Sequence, residues 1–337
     1  MNRSVRIPVV LFTGFLGSGK TTLLNRVVRD PRFRDTAIVV NEWGEIAVDH
    51  ALVREASDNV VVLAGGCVCC RYSGDIVRAL RELHFQRAEG RVSPFSRVAI
   101  ETTGLADPAP LMATLVEMPL AAARFALGGV VATIDAQYGA AALDAHPESV
   151  KQAAVADRLV ITKADRSSPQ ALGELEARLA RLNPGARLLR SESLDIAQLF
   201  DAGLYRGPGA PMDAGGWLNA GAYRHVGQAA AGLHDPRIAS FAWTAQEPAE
   251  WEDVESALET LLELRSERVL RLKGLVNVAG EPGPRAVHAV HHTLYPSARL
   301  PAWPDADRTT RIVFIVRDLE PAEPAAILDS FLTHAHP

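Results

Sequence analysis

All three cysteines of the 337-residue chain fall in one four-residue run, Cys67-Val68-Cys69-Cys70. Adjacent cysteines bridge each other only with strain, and the glycines before the run (Gly65, Gly66) and Arg71 after it do not fit a buried filler. The chemistry left is a soft-metal site. Three thiolates fill three corners of a tetrahedron and leave the fourth for another ligand, an arrangement that suits a transferable ion better than a structural one. Zinc is the default metal, with Cu(I), iron and cobalt compatible by ligand type. Glu45 is the candidate fourth ligand, and Glu42 and His50 are further candidates in the same stretch; His50 reads more readily as an ordinary loop residue. Cys67 and Cys69 point the same way in an extended segment, so convergence with Cys70 needs a turn over Val68 to Cys70. A helix expected to start near Ser73 would bring its positive end close to the thiols and lower their pKa.

The second constellation is Gly14 to Thr21, G-F-L-G-S-G-K-T, which fits the phosphate-binding P-loop pattern. Gly14, Gly17, Ser18 and Gly19 belong to a loop whose backbone N–H groups can turn towards phosphates. Lys20 would reach the β- and γ-phosphates, the Thr21 hydroxyl would hold Mg²⁺, and Thr22, next in the helix start, is a further nucleotide-binding candidate. Glu101, in E-T-T-G (Glu101 to Gly104), would hold Mg²⁺ directly or through water, and the Gly104 N–H could approach the γ-phosphate. Thr102 and Thr103 also read as helix caps. Thr162, Lys163 and Asp165 form T-K-A-D. The carboxylate can accept from guanine N1–H and the 2-amino group, while adenine leaves it unpaired, which points to GTP. Lys20, Thr21 and Glu101 are the candidate catalytic residues. No Gln or Arg can be assigned to the attacking water, so slow intrinsic hydrolysis is expected.

These motifs need a scaffold. Ile7 to Thr13, Thr36 to Asn41, Asn59 to Leu63, Arg97 to Glu101, Gly129 to Asp135 and Arg158 to Thr162 are near-continuous apolar runs, as in strands covered on both faces. Helical patterns lie between them at Lys20 to Arg29, Asp75 to Arg87, Ala109 to Val116, Pro147 to Ala156 and Pro169 to Leu182. The alternation predicts an α/β domain over residues 1–200 with a doubly wound, mostly parallel sheet. Ligands of such sheets bind outside the carboxyl ends of the strands, which would gather the motifs at one edge. Residues 201–237, rich in Gly, Ala and Pro, read as a linker. Residues 238–337 read as a smaller α+β domain of about four antiparallel strands. His288, His291 and His292 are placed on one of these strands, His288 and His292 on one face.

The net charge of −5 argues against nucleic acid or an anionic membrane as the main partner. No apolar stretch has the length of a membrane span. The N-terminal apolar run leads straight into the P-loop and reads as a strand rather than a leader. Clustered thiols without a disulfide framework indicate a reducing compartment, the cytoplasm.

GFLGSGKTTLLN, NEWGE, GGCVCC, ETTGLADPAP, PESVKQAAVADRLVITKAD and LRLKGL together resemble the CobW-type P-loop GTPases. The resemblance runs from about Pro8 to Asp165 and continues more weakly to the end. It implies GTP hydrolysis, with Mg²⁺, coupled to delivery of a metal, often zinc, from Cys67, Cys69 and Cys70 to a client metalloprotein. It also leaves open an activator that inserts cobalt or iron into one metalloenzyme. Competing readings from the residues are a P-loop phosphotransferase with a structural metal and a metal sensor in which the nucleotide is structural. Many members carry a His-rich segment between the domains; here that stretch holds only His225 and His234, which argues against a storage role. His334 and His336 read as a solvated tail.

Overall fold

The computed structural model describes residues 6–41, 60–63, 70–204, 213–226 and 237–332. The chain divides into two units: Met1–Glu176 with Arg187–Met212, and Ala177–Ala186 with Asp213–Pro337.

The first unit is built on a seven-stranded sheet in the order β3-β2-β4-β1-β5-β6-β7. The strands are β1 Ile7–Gly14, β2 Thr36–Asn41, β3 Val60–Leu63, β4 Arg97–Glu101, β5 Phe125–Asp135, β6 Arg158–Thr162 and β7 Arg187–Arg190. Every ladder is parallel. The all-apolar runs follow from this: β1 and β6 are buried along their whole length. The helix Lys20–Arg29 (α1) lays Leu23, Leu24 and Val27 onto Val10, Phe12, Ile38 and Val40. Each such side chain contributes roughly 1.5–3 kcal/mol on burial. Strand β7 escapes a sequence reading because its four residues, RLLR, are exposed or half-buried at the sheet edge. Strand β5 begins at Phe125, four residues before the expected Gly129.

The second unit carries a sheet in the order β12-β11-β10-β14-β9-β8, with β13 on β11. Its long strands are β9 Ile238–Ala245, β10 Val269–Val276, β11 Arg285–Val290 and β14 Thr310–Arg317, paired antiparallel. Short strands β8 Arg224–His225, β12 Thr293–Leu294 and β13 Ala298–Arg299 extend it. Phe241 stacks on Phe314 at 5.0 Å. They share a core with Val254, Leu258 and Leu261 of the helix Trp251–Arg265. The stretch expected as a linker is structured in part: residues 213–226 carry the helix Ala214–Leu218, capped by the Asp213 carboxylate on the Gly216 N–H, and β8, which pairs parallel with β9. Its Gly, Ala and Pro content hid this short helix and strand. Among the described residues no helix is long and apolar enough to cross a membrane.

Candidate functional site

Parallel pairing brings the ends of the strands to one edge. Phe12 of β1 is in register with Glu101, Val40 of β2 with the same Glu101, Asn41 with Leu63, and Asp135 with Thr162. The chain leaves β1 into the phosphate loop, with Gly14, Gly17 and Gly19 at φ 137°, 68° and 93°. These left-handed values are strained for residues bearing a side chain. A Cβ on Gly14 would also lie 2.4 Å from Thr133 Oγ1. Gly19 caps helix α1 in the left-handed conformation without a side-chain cap, so the first N–H groups of the helix are left to an anion. The loop is tied from below: Ser18 Oγ lies 2.6 Å from Thr133 Oγ1, and Thr162 Oγ1 donates to the Ser18 carbonyl at 2.7 Å.

The Lys20 ammonium, 8% exposed, donates to the carbonyls of Gly14 and Phe15 at 2.8 and 3.0 Å. It spans the loop it belongs to. The Thr21 hydroxyl donates to Glu101 Oε1 at 2.7 Å, and Glu101 is 5% exposed. A hydroxyl and a buried carboxylate at this spacing are hard oxygen donors of the kind Mg²⁺ takes beside phosphates. Thr22 is exposed on the helix. Thr102 Oγ1 donates to Thr13 Oγ1 at 3.0 Å and its N–H bonds the Phe12 carbonyl, so it ties β4 to β1. Gly104 lies against the phosphate loop: a Cβ there would meet Leu16 N at 2.7 Å and Leu16 Cα at 2.8 Å.

At the base end, Lys163 adopts φ 55°, unusual outside glycine. Its ammonium donates to the Gly17 carbonyl and to Asp135 Oδ2, both at 2.6 Å. Asp135, missed by the sequence reading, also accepts from the N–H groups of Gln137 and Tyr138 at 2.7 and 3.1 Å. Burial alone would raise its carboxyl; the Lys163 hydrogen bond, those two N–H groups and the Lys163 charge outweigh it and hold it below the usual carboxylate range. Asp165 sits exposed in the turn Ala164–Arg166 that follows β6. A second missed element is the turn Ser191–Ser193 after β7, whose Glu192 accepts from the Ala164 N–H at 3.3 Å. Arg26 of α1 holds the same turn through the carbonyls of Ser191 and Leu194.

Of the metal candidates, Cys67, Cys69, Glu42, Glu45 and His50 lie outside the described residues, as do His234, His334 and His336. Cys70 opens the helix Cys70–Ala88 (α2), three residues before the expected start at Ser73. It therefore belongs to the first helical turn, not to a preceding bend. Asn41 and Leu63 close adjacent strands at the same level. Because β2 separates β3 from β4, the chain departs for the cysteine run roughly 10 Å from β4, at about 5 Å per strand. In the second unit, His288 on β11 stacks on Tyr295 at 4.6 Å. His291 and His292 are not on the strand: β11 ends at Val290, and they form the turn to Thr293, with His291 at φ 49°. The alternating face read for His288 and His292 therefore does not exist. His225 is exposed on β8.

Residues 8–190 match the family model described as the CobW/HypB/UreG nucleotide-binding domain, and residues 238–332 that of the cobalamin synthesis protein cobW C-terminal domain. The zinc chaperone YjiA of Escherichia coli is 31% identical over 311 residues, covering 92% of this chain and 93% of its own. The zinc chaperone CobW of Pseudomonas aeruginosa is 28% identical, covering 96% and 90%. In fold, the chain resembles the crystal structure of the Zn(II)-bound YjiA GTPase from E. coli with a TM-score of 0.70 at 24% identity, over 98% of this chain and 99% of that one.

Proposed function

The chain belongs to the CobW family of P-loop nucleotide-binding proteins, and from that premise we propose that it is a GTP-hydrolysing zinc chaperone. The observation that carries the nucleotide half is the convergence at the carboxyl edge of the first sheet. Lys20 crosses the phosphate loop, Thr21 meets Glu101, and Lys163 ties the loop to Asp135. Lys20 and the helix N-terminus bind the phosphates, and Thr21 and Glu101 hold Mg²⁺. The ion, when bound, neutralises phosphate charge. Gly14, Gly17, Ser18, Gly19 and Thr22 shape the loop, Gly104 closes it from β4, Thr162 holds the nucleotide site together by tying the loop to β6, and Lys163 and Asp165 bind the base.

Zinc is the cargo. Cys67, Cys69 and Cys70 are its ligands, with Glu45 as the fourth, and the donor set suits zinc. The ion passes to a client metalloprotein in the cytoplasm as GTP is consumed. The zinc half is supported by the relatives named zinc chaperones and by the position of the cysteine run in the sequence, after β3, whose carboxyl end lies at the nucleotide edge.

The test of the base assignment is competition between guanine and adenine nucleotides in the wild type and in Asp165→Asn. The amide cannot accept both guanine hydrogen bonds, so selectivity for GTP falls and tolerance of xanthosine triphosphate improves. An unchanged preference for GTP removes Asp165 from the base site. Preference for ATP in the wild type would favour a phosphotransferase.

A further inference from the structure

The helix Pro147–Val155 contributes nothing to the phosphate, magnesium or base positions, yet it touches both loops at the phosphate edge. Its cap residue His146 stacks on Phe15 of the phosphate loop, ring centroids 4.4 Å apart. From the next turns, Lys151 pairs with Asp107 at 2.7 Å. Gln152 Nε2 donates to the carbonyls of both Gly104 and Ala106, at 3.2 and 3.0 Å. Lys151 and Gln152 grip one short loop, the one that follows Glu101 and whose Gly104 abuts Leu16, while His146 packs on the phosphate loop itself.

Gln152 is 1% exposed, a burial that for glutamine needs a reason. A scaffold glutamine satisfies both ends of its amide within the framework. Here the donor end goes wholly to the Gly104–Ala106 segment, while Oε1 has no hydrogen-bond partner among the described residues. The side chain is spent on the loop and not on its own helix. Within the loop, the Ala106 N–H makes a turn bond to Thr103 O and the Asp107 carboxylate accepts from the Ala109 N–H.

We propose that Gln152 is a positioning residue for GTP hydrolysis, holding the Gly104–Ala106 carbonyls so that the loop after Glu101 stays seated against the phosphate loop. Lys151 supports it from the exposed side through Asp107. The proposal rests on the GTPase reading above. A loop that must meet the γ-phosphate affects turnover more than it affects GDP, so loss of the anchor lowers kcat while GDP binding persists.

The test uses the full-length protein with Gln152→Met, which keeps the volume and removes both hydrogen bonds, and with Lys151→Met as a surface variant that does not disturb the core. Steady-state GTP turnover, GDP affinity by fluorescence titration and thermal melting are measured for each. In Gln152→Met, kcat falls at least about tenfold while GDP affinity and KM for GTP stay within about threefold and the melting temperature holds; Lys151→Met lowers kcat less, in the same pattern. A kcat for Gln152→Met within about twofold of the wild type overturns the proposal, as does a parallel fall of kcat, GDP affinity and thermal stability, which marks a structural role. Failure of the wild type itself to turn over GTP would instead sink the reading beneath it.

Discussion

The Thr21 hydroxyl and the Glu101 carboxylate meet at 2.7 Å, joining the first turn of the phosphate-loop helix to the end of β4. The parallel register of β1 with β4 makes this contact, because it sets Glu101 beside Phe12, two residues before the phosphate loop. Glu101→Gln keeps an acceptor for Thr21 and removes the charge that holds Mg²⁺. GTP turnover is expected to fall on the order of a hundredfold, with little loss of GDP affinity, because the missing interaction matters most where charge develops. Turnover and its Mg²⁺ dependence, measured by phosphate release, check this; an unchanged Mg²⁺ dependence removes Glu101 from the metal site.

Gly104 gives a sharper steric prediction. A Cβ would strike Leu16 Cδ2, which can swing aside, but also the backbone N and Cα of Leu16, which cannot. Gly104→Ala therefore displaces one loop or the other and is expected to cut turnover by about tenfold or more, since small misplacements near reacting groups cost heavily. The same assay with a melting curve checks it. Full activity would show that the two loops separate during the reaction.

Asp135 predicts a pH effect. Its folded-state pKa is held down, so the stability it contributes is fully present above the unfolded carboxylate value. That contribution is lost as pH falls through the lowered folded value. Asp135→Asn removes it and leaves Lys163 with a neutral acceptor. GTP affinity is expected to drop by about fivefold, the difference between a charged and a neutral hydrogen bond, about 1 kcal/mol. In urea melts the stability gap between the two proteins stays constant above about pH 5 and closes as the medium is acidified. A gap that widens in acid contradicts the pairing.

The parts of the site legible in the sequence are those whose chemistry fixes a spacing. The phosphate loop needs its glycines, lysine and threonine in order, and Thr162, Lys163 and Asp165 must follow a strand. Runs such as Val9 to Phe12 announced buried parallel strands because both faces are covered. Asp135 was not legible: a carboxylate after an apolar strand has no pattern of its own, and its role comes from Lys163, 28 residues on. Gln152 was hidden in the same way, since a polar residue in a helix reads as solvated until its loop partners are seen. The start of α2 at Cys70 was missed because the residues around Ser73 and Gly74 look like a helix start by composition. The His291–His292 turn was missed because the left-handed conformation that His291 adopts is uncommon outside glycine and leaves no pattern in the sequence.

In a chaperone that releases zinc as GTP is consumed, nucleotide state must govern zinc affinity. Its structural motive is placement: the chain leaves β3 for the cysteine run on the edge that carries Glu101 and the phosphate loop, two strands away from β4. If zinc affinity changes by some factor between nucleotide states, nucleotide affinity changes by the same factor when zinc binds, and a coupling of roughly 1–3 kcal/mol is ordinary. The direct measurement is a competition titration against a chromophoric zinc chelator, with a non-hydrolysable GTP analogue, with GDP, and without nucleotide. Zinc binding is expected to be tightest with the GTP analogue and Mg²⁺, by about fivefold or more over GDP, and the tight site is expected to be lost in all three states in Cys67→Ser and Cys69→Ser. Equal zinc affinity across the three states would contradict it, and would make the cysteines a site independent of GTP.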